Sequence, residues 1–403
     1  MATPASTLGF RDVLQHSAVK RLWIAQLVSV FGDILAVFAI YGVVTFQLNG
    51  TPFQVALVVI AFMAPLAIVS PAAGVFVDRW NVKTTMIASD LIRAALVLTL
   101  LFARDLNVMY ATLFCISTVS AFFVPAQAVT VRTLAPPGGL MAVNALMSQA
   151  IYGGQIIAPS ISGLLVDFAG AKTCFVLDAL TFFVSAALVA SLKITRERAV
   201  GNPAPAHPFA ALTQGLRFIV THRAISFVMI SMACGMFAVR CFGALLSVWV
   251  RDVLLSSART FGLLNTLIGV GMLAGGQLVR TVAKRLSPER LVSLAVAGMG
   301  GAVIITAVAS NTIGAAAGTF ALGTFAALIM ITCQTLMQQE TPHELLGRVS
   351  SSMMSLMAMA QVLGMFFAGP VAQAAGLRNL YYGSAVMLFG VGGIGLVLLR
   401  RRG

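Results

Sequence analysis

The chain has 403 residues, of which 59% are hydrophobic and only 9% charged. That composition excludes an ordinary soluble globular protein, in which about a quarter of the residues carry charge. The net charge of +14 raises nucleic acid as a partner, so the placement of the basic residues has to decide the question.

Apolar stretches of about twenty residues recur along the chain, each long enough to cross a hydrocarbon core of about 30 Å as a helix. In order they cover 22–47, 53–77, 84–103, 107–132, 139–167, 171–192, 224–250, 260–280, 289–310, 312–337, 349–375 and 379–399. The first begins after Arg21 without a small-residue cleavage pattern behind it, and reads as a retained helix rather than a signal peptide. With the N-terminus inside, nineteen of the 26 basic residues fall on inner segments, whereas Arg104, Lys172, Arg251, Arg259 and Arg378 fall on outer ones. Arg93 and Arg240 lie within spans. The asymmetry follows the positive-inside rule, places both termini in the cytoplasm, and makes the lipid bilayer rather than nucleic acid the partner.

The longest polar interruption, Lys193 to Arg223, contains the Pro-rich run from Gly201 to Pro208. Beyond it Phe209, Leu212, Leu216 and Ile219 recur at helical spacing, which suits a short amphipathic helix on the inner membrane face or a plain linker. The expected organisation is an N-terminal six-helix bundle at 1–195, a linker with this amphipathic segment at 196–223, and a C-terminal six-helix bundle at 224–403. An internal repeat points the same way. At an offset of 206, Pro136 pairs with Pro342, Gly163 with Gly369, Gly170 with Gly376, Lys172 with Arg378, and Arg79 with Arg285. The expected fold is therefore an all-α membrane protein of twelve transmembrane helices in two pseudo-symmetric bundles, which suits a transporter whose halves rock about a central site.

Ionisable residues at membrane depth are functional candidates by default, because burying a charge there costs at least a few kcal/mol. Asp33 stands eleven residues into the first span, about 16 Å along a helix and so near the midplane. Arg240 stands at a similar depth in the seventh. Under the repeat offset Arg240 corresponds to Ile34, so an ion pair across a central cavity is one reading and a static packing pair the other. In the first reading burial and a nearby guanidinium act on the carboxyl's proton in opposite senses, and a mobile Arg240 switches Asp33 between holding and releasing it. Asp90 and Arg93, three apart on the third span, form a supporting charge pair on one helix face. Asp178, near the outer end of the sixth, reads as a packing or hydrogen-bonding residue.

The segment from Gly74 to Lys83, with Asp78-Arg79 at its centre, links the second and third spans. It resembles the signature loop of the major facilitator superfamily, with Asn81 and Val82 standing where that loop usually has Gly and Arg. The resemblance implies a cytoplasmic gate formed by Gly74, Asp78, Arg79 and Lys83. Ala158-Pro159-Ser160-Ile161-Ser162-Gly163 is similar to the Gly-Pro-rich element of the family's antiporters, with Pro159 and Gly163 retained. Simple helix packing through small residues is the alternative. Phe31-Gly32-Asp33, Ser89-Asp90 with Arg93, Val124-Pro125-Ala126-Gln127, and the stretch from Gln334 to Ser351 are similar to the branch of macrolide, siderophore and lysophospholipid exporters.

Other signals lead nowhere. Gly390-Val391-Gly392-Gly393-Ile394-Gly395 satisfies the dinucleotide pattern but sits in an apolar span without a preceding strand. No Gly-Lys dipeptide occurs, so no P-loop is present. Five cysteines without CxxC spacing and four scattered histidines suggest neither disulfide nor metal. No cofactor and no enzymatic activity are expected. The leading reading is a monomeric, proton-coupled exporter of amphipathic or lipophilic small molecules in a bacterial inner membrane. A lysophospholipid flippase or a siderophore exporter with a narrow substrate is the runner-up, and a non-transporting sensor or membrane enzyme the remote alternative.

Overall fold

Backbone groups in hydrocarbon find no water to bond, so a chain this apolar is forced into helices that satisfy their own N–H and C=O groups. The computed structural model describes residues 8–103, 105–194, 223–341 and 343–400. After a short helix α1 (Phe10–Gln15) come twelve long ones: α2 (Ser17–Gly42), extended by a π-helical turn Val43–Gln47, α3 (Pro52–Arg79), α4 (Val82–Thr99), α5 (Leu106–Leu134), α6 (Leu140–Ala169) and α7 (Ala171–Ala190), then α8 (Arg223–Asp252), α9 (Ala258–Val282), α10 (Pro288–Val308), α11 (Thr312–Glu340), α12 (His343–Ala375) and α13 (Leu377–Arg400). The protein is an all-α membrane protein of two pseudo-symmetric six-helix bundles. The apolar stretches locate all twelve, but α2 starts five residues earlier than expected and α12 six. Hydropathy marks the hydrocarbon core, whereas the helices run on through polar turns such as Lys20-Arg21 and His343-Glu344.

The offset of 206 governs far more than the few matching residues from which it was read. It carries the starts of α2, α3, α4, α5 and α7 onto those of α8, α9, α10, α11 and α13. Caps follow it too: Asn81 accepts from the N–H groups of Lys83 and Thr84 to open α4, and Ser287 accepts from Arg290 to open α10. Gly170 and Gly376, the turn residues before α7 and α13, have φ of +80° and +89°, a conformation that costs an L-residue roughly 1–2 kcal/mol and suits glycine.

Two compact units emerge from the contacts. The first comprises Met1–Asn49, Leu57–Val200 and Ser257–Gly262; the second comprises Gly50–Ala56, Gly201–Ser256 and Leu263–Gly403. Within the first, α2 packs on α6 and α7, and α4 on α5 and α7. Within the second, α8 packs on α12 and α13, and α10 on α11 and α13, the same pairings shifted by one repeat. At one crossing in the first unit Ser117 donates to the carbonyl of Phe62. At the matching crossing in the second, Gly323 leaves no room for a Cβ against the carbonyl of Ile268. One geometry is thus reached by two side-chain solutions, which is why the repeat is faint in the sequence. The amphipathic segment 209–219 and Pro342 lie outside the described residues.

At one end of the first unit, Val19 and Leu22 of α2 join Val82 and Met86 of α4, Phe123 and Val131 of α5, Val143 of α6 and Leu192 in an apolar cluster that also receives Val13 of α1. Burying each such side chain contributes roughly 1.5–3 kcal/mol relative to leaving it in water. The cluster holds α2, α4, α5 and α7 side by side over the polar residues that lie deeper along the same helices.

Candidate functional site

Val82–Thr99 carries Lys83, Asp90 and Arg93 within eighteen residues, a density of charge that hydrocarbon does not tolerate unless the groups turn inward and pair. They do so. The Arg93 guanidinium engages all three of its nitrogens inside the first unit: Nε donates to the carbonyl of Ser89 at 3.4 Å, Nη1 to Asp33 Oδ2 at 3.5 Å, and Nη2 to Asp90 Oδ1. Its two faces are covered by rings, with the Phe123 centroid at 4.6 Å and the Phe182 centroid at 4.3 Å. Four helices therefore meet on one cation: Asp33 comes from α2, Asp90 and Arg93 from α4, Phe123 from α5 and Phe182 from α7.

Exposure differs sharply within the cluster. The Asp90 and Arg93 side chains are 0% and 3% exposed, whereas Asp33 is 24% exposed and so is the carboxyl with outside access. Asp90 Oδ2 and Ser185 Oγ are both buried, and neither has a hydrogen-bond partner among the described residues. Asp178 of α7 is buried beside the cluster, accepting from Thr181 Oγ1 at 3.3 Å. A Cβ on Gly32 would run into Asp178 Oδ1 and Thr181 Oγ1, so the glycine before Asp33 lets α2 and α7 close together here. Two carboxyls bonded to one guanidinium, with a third alongside, leave the cluster short of positive charge in a region of low dielectric.

The second unit resolves the same positions without ions. By the repeat offset Asp33, Asp90, Arg93 and Asp178 correspond to Val239, Val296, Met299 and Ser384. Val296 and Met299 are buried. The architecture accordingly does not need a charged group there; buried ion pairs are in general replaceable by well-packed apolar residues at little cost. Arg240, a cation within a span of the second unit, makes a different contact: on α8 it donates from Nε to Gln361 Oε1 of α12 at 2.7 Å. Close by, Cys241 Sγ donates to the carbonyl of Gly364 at 3.2 Å.

Of the loop residues, Lys83 Nζ donates to the carbonyl of Leu192 at 2.8 Å. It thereby satisfies a carbonyl left over at the end of α7, the place where a cation complements the helix dipole. Arg79 is exposed at the end of α3. The side chain of Asp78 lies outside what the structure describes. Pro159 and Gly163 of α6 pack within the first unit against the opening turn of α9. A Cβ on Gly163 would stand 2.5 Å from the carbonyl oxygen of Ala258, and one on Gly262 would strike the carbonyl of Pro159. Asp167 closes that contact, accepting from Ser257 Oγ at 2.7 Å and from the Arg259 N–H at 3.3 Å. In the second unit Gly369 meets Phe53 of α3 in the same manner, with a Cβ 2.9 Å from its Cα.

Sequence reasoning singled out Asp33, Asp90 and Arg93 but kept Asp33 apart from the other two. It missed the aromatic clamp of Phe123 and Phe182, and a side-chain bond between Gln127 of α5 and Gln26 of α2. The Gln pair carried a signal, since two amides on apolar helices must find partners. Among 26 phenylalanines the two clamping rings carried none.

The profile of the Major Facilitator Superfamily matches residues 22–361 and 228–403. Among curated relatives, the uncharacterized MFS-type transporter YfiS of Bacillus subtilis is 25% identical over 95% of this chain and 93% of its own length. The multidrug efflux pump Tap of Mycolicibacterium fortuitum is 26% identical over 88% and 90%. Macrolide efflux protein A of Streptococcus pyogenes is 23% identical over 91% and 92%. Among solved structures, the nucleoside transporter NupG superposes with a TM-score of 0.75 at 10% identity, covering 94% of this chain and 99% of its own. A bacterial homolog of the human lysosomal transporter Spinster gives 0.70 at 12% identity over 99% and 98%.

Proposed function

We propose that this chain, which belongs to the major facilitator superfamily, is a proton-coupled antiporter that exports amphipathic or lipophilic small molecules by alternating access. The observation that carries the reading is the Asp33–Arg93–Asp90 cluster, because the equivalent positions of the second bundle are filled without charge. A transporter retains such a group where it handles a charge. Efflux pumps for drugs and macrolides among its relatives support the direction and the class of cargo.

In this mechanism Arg93 is fixed between its two rings and shared by two carboxylates. Asp33, the more open of them, takes a proton and ceases to be a partner for the guanidinium, which then belongs to Asp90 alone; loss of the proton restores the shared arrangement. Each state changes the charge facing the α2 side of the cluster by one unit. Cargo that is apolar or cationic binds preferentially to one of the two, and that difference is the coupling. Arg240 with Gln361 is assigned to the opposing bundle's part of the pathway, with residues 1–195 and 224–403 as the bundles and 196–223 as their linker. Gly74, Asp78 and Arg79 form the gate, with Lys83 anchoring α4 to α7 beside it. Pro159 and Gly163 form the small-residue contact that opens and closes on the other side. The protein acts as a monomer in a bacterial inner membrane, its basic ends and both termini in the cytoplasm.

The test is growth of an efflux-deficient bacterium expressing the chain on a panel of macrolides, lipophilic cations, siderophores and lysolipids. Wild type raises tolerance to the cargo class, and Asp33→Asn, at equal membrane abundance, does not. Tolerance unchanged by Asp33→Asn would remove the proton site from the mechanism.

A further inference from the structure

On the side of α4 away from Asp90, a groove of about 510 Å³ runs between α4 and α5. Its length is set by one stripe of α4, from Asn81 through Thr84, Ala88 and Ser89 to Ile92. Eleven residues of helix span about 16 Å, which is the depth of one leaflet, half of a hydrocarbon core about 30 Å thick. The wall opposite is Val119 and Phe122 of α5, and the Trp80 ring stacks on Phe122 with centroids 5.7 Å apart. Polar atoms concentrate at the Asn81–Thr85 end, and the far end is Ile92 and Val119. Trp80 and Ile92 are 48% and 49% exposed, so the groove is open along the flank of a membrane-spanning helix.

Charge marks the polar end. Arg79 is exposed next to Trp80, whereas Lys83, the second residue of α4, is turned to the other side, toward Leu192. An indole at the interface beside a cation, above an apolar slot one leaflet deep, matches an amphiphile with an anionic head and a hydrocarbon chain. We infer that this groove holds an acyl chain of an anionic phospholipid from the leaflet at the basic end of the bundle, with its phosphate at Arg79. The lipid is seated on the back of the helix whose other face presents Asp90 and Arg93. The assignment does not depend on the protein's cargo or its coupling to protons.

Trp80 is one of three tryptophans; Trp23 is partly buried and Trp249 fully buried. The difference between wild type and Trp80→Phe therefore isolates a reporter inside the groove. The full chain is reconstituted in phosphatidylcholine vesicles containing increasing fractions of dibrominated phosphatidylglycerol or, in parallel, dibrominated phosphatidylcholine, and quenching of the Trp80 component is followed. The expected result is saturation at an at least fivefold lower mole fraction for the anionic lipid, loss of that preference in Arg79→Gln, and loss of saturation in Ala88→Phe, which fills the slot from an exposed position. Should Ala88→Phe melt below wild type, Thr84→Leu, also exposed, serves instead. Equal, non-saturating quenching by both lipids, or saturation undisturbed by the filled groove, overturns the proposal. Displacement of the bound lipid by erythromycin would also overturn it, by making the groove a cargo site.

Discussion

Removing the Arg93 charge alone and removing the whole cluster should have opposite consequences for stability. In Arg93→Met, Asp90 keeps a carboxylate that is 0% exposed with no cation beside it, and breaking a buried pair in this way costs about 3–5 kcal/mol. For a unit of about 200 residues each kcal/mol moves the unfolding midpoint by about 2–4 °C, so a fall on the order of 10 °C is expected. The triple variant Asp33→Val, Asp90→Val, Arg93→Met writes into the first bundle the residues that the second carries at 239, 296 and 299. It removes the three bonded charges together with their desolvation and leaves Asp178 with its hydrogen bond from Thr181, and its stability should return to within about 1–2 kcal/mol of wild type. Thermal unfolding of the purified proteins in nanodiscs, followed by tryptophan fluorescence, measures both. Transport should be absent from single and triple variants alike. A triple variant as unstable as Arg93→Met would show the cluster to be a structural keystone, and a triple variant that still exports would refute the functional reading.

Three further outcomes follow from particular contacts. Gly32→Ala places a methyl against Asp178 and Thr181 and should destabilise by about 1–3 kcal/mol, the usual range for overpacking, read as a lower midpoint in the same melt. Gly163→Val meets the carbonyl of Ala258; export should fall at least tenfold in everted vesicles while membrane abundance is kept, and undiminished export would mean the contact plays no part in the cycle. Lys83→Met loses the bond to Leu192, at a cost of about 0.5–1.5 kcal/mol for a hydrogen bond. Export that survives this change would identify Lys83 as an anchor for α7 rather than a moving gate residue.

The fold was legible because hydrocarbon imposes it: twelve apolar stretches became twelve helices. What the apolar pattern does not encode is facing. A helix such as α7 carries apolar residues on every side, and its few polar ones do not form a stripe clear enough to say which side meets a neighbour. The rule that ions at membrane depth must matter found Asp33, Asp90 and Arg93 singly. It did not bring Asp33 to Arg93, because sequence symmetry offered Arg240 at a matching depth and said nothing of α7 packing on both α2 and α4. The repeat itself was nearly invisible as identity, since Ser117 and Gly323 solve one crossing by different chemistry. It is plain once helix starts and caps are compared.

The most direct test of the central claim is proton release on binding. Purified protein in lightly buffered detergent with a pH-sensitive dye is titrated with erythromycin or, if growth tests select another cargo, with that compound. Wild type should release close to one proton per bound molecule, and Asp33→Asn should bind without releasing any. Equal release from both proteins would contradict the account and place the coupled proton outside the Asp33–Arg93–Asp90 cluster.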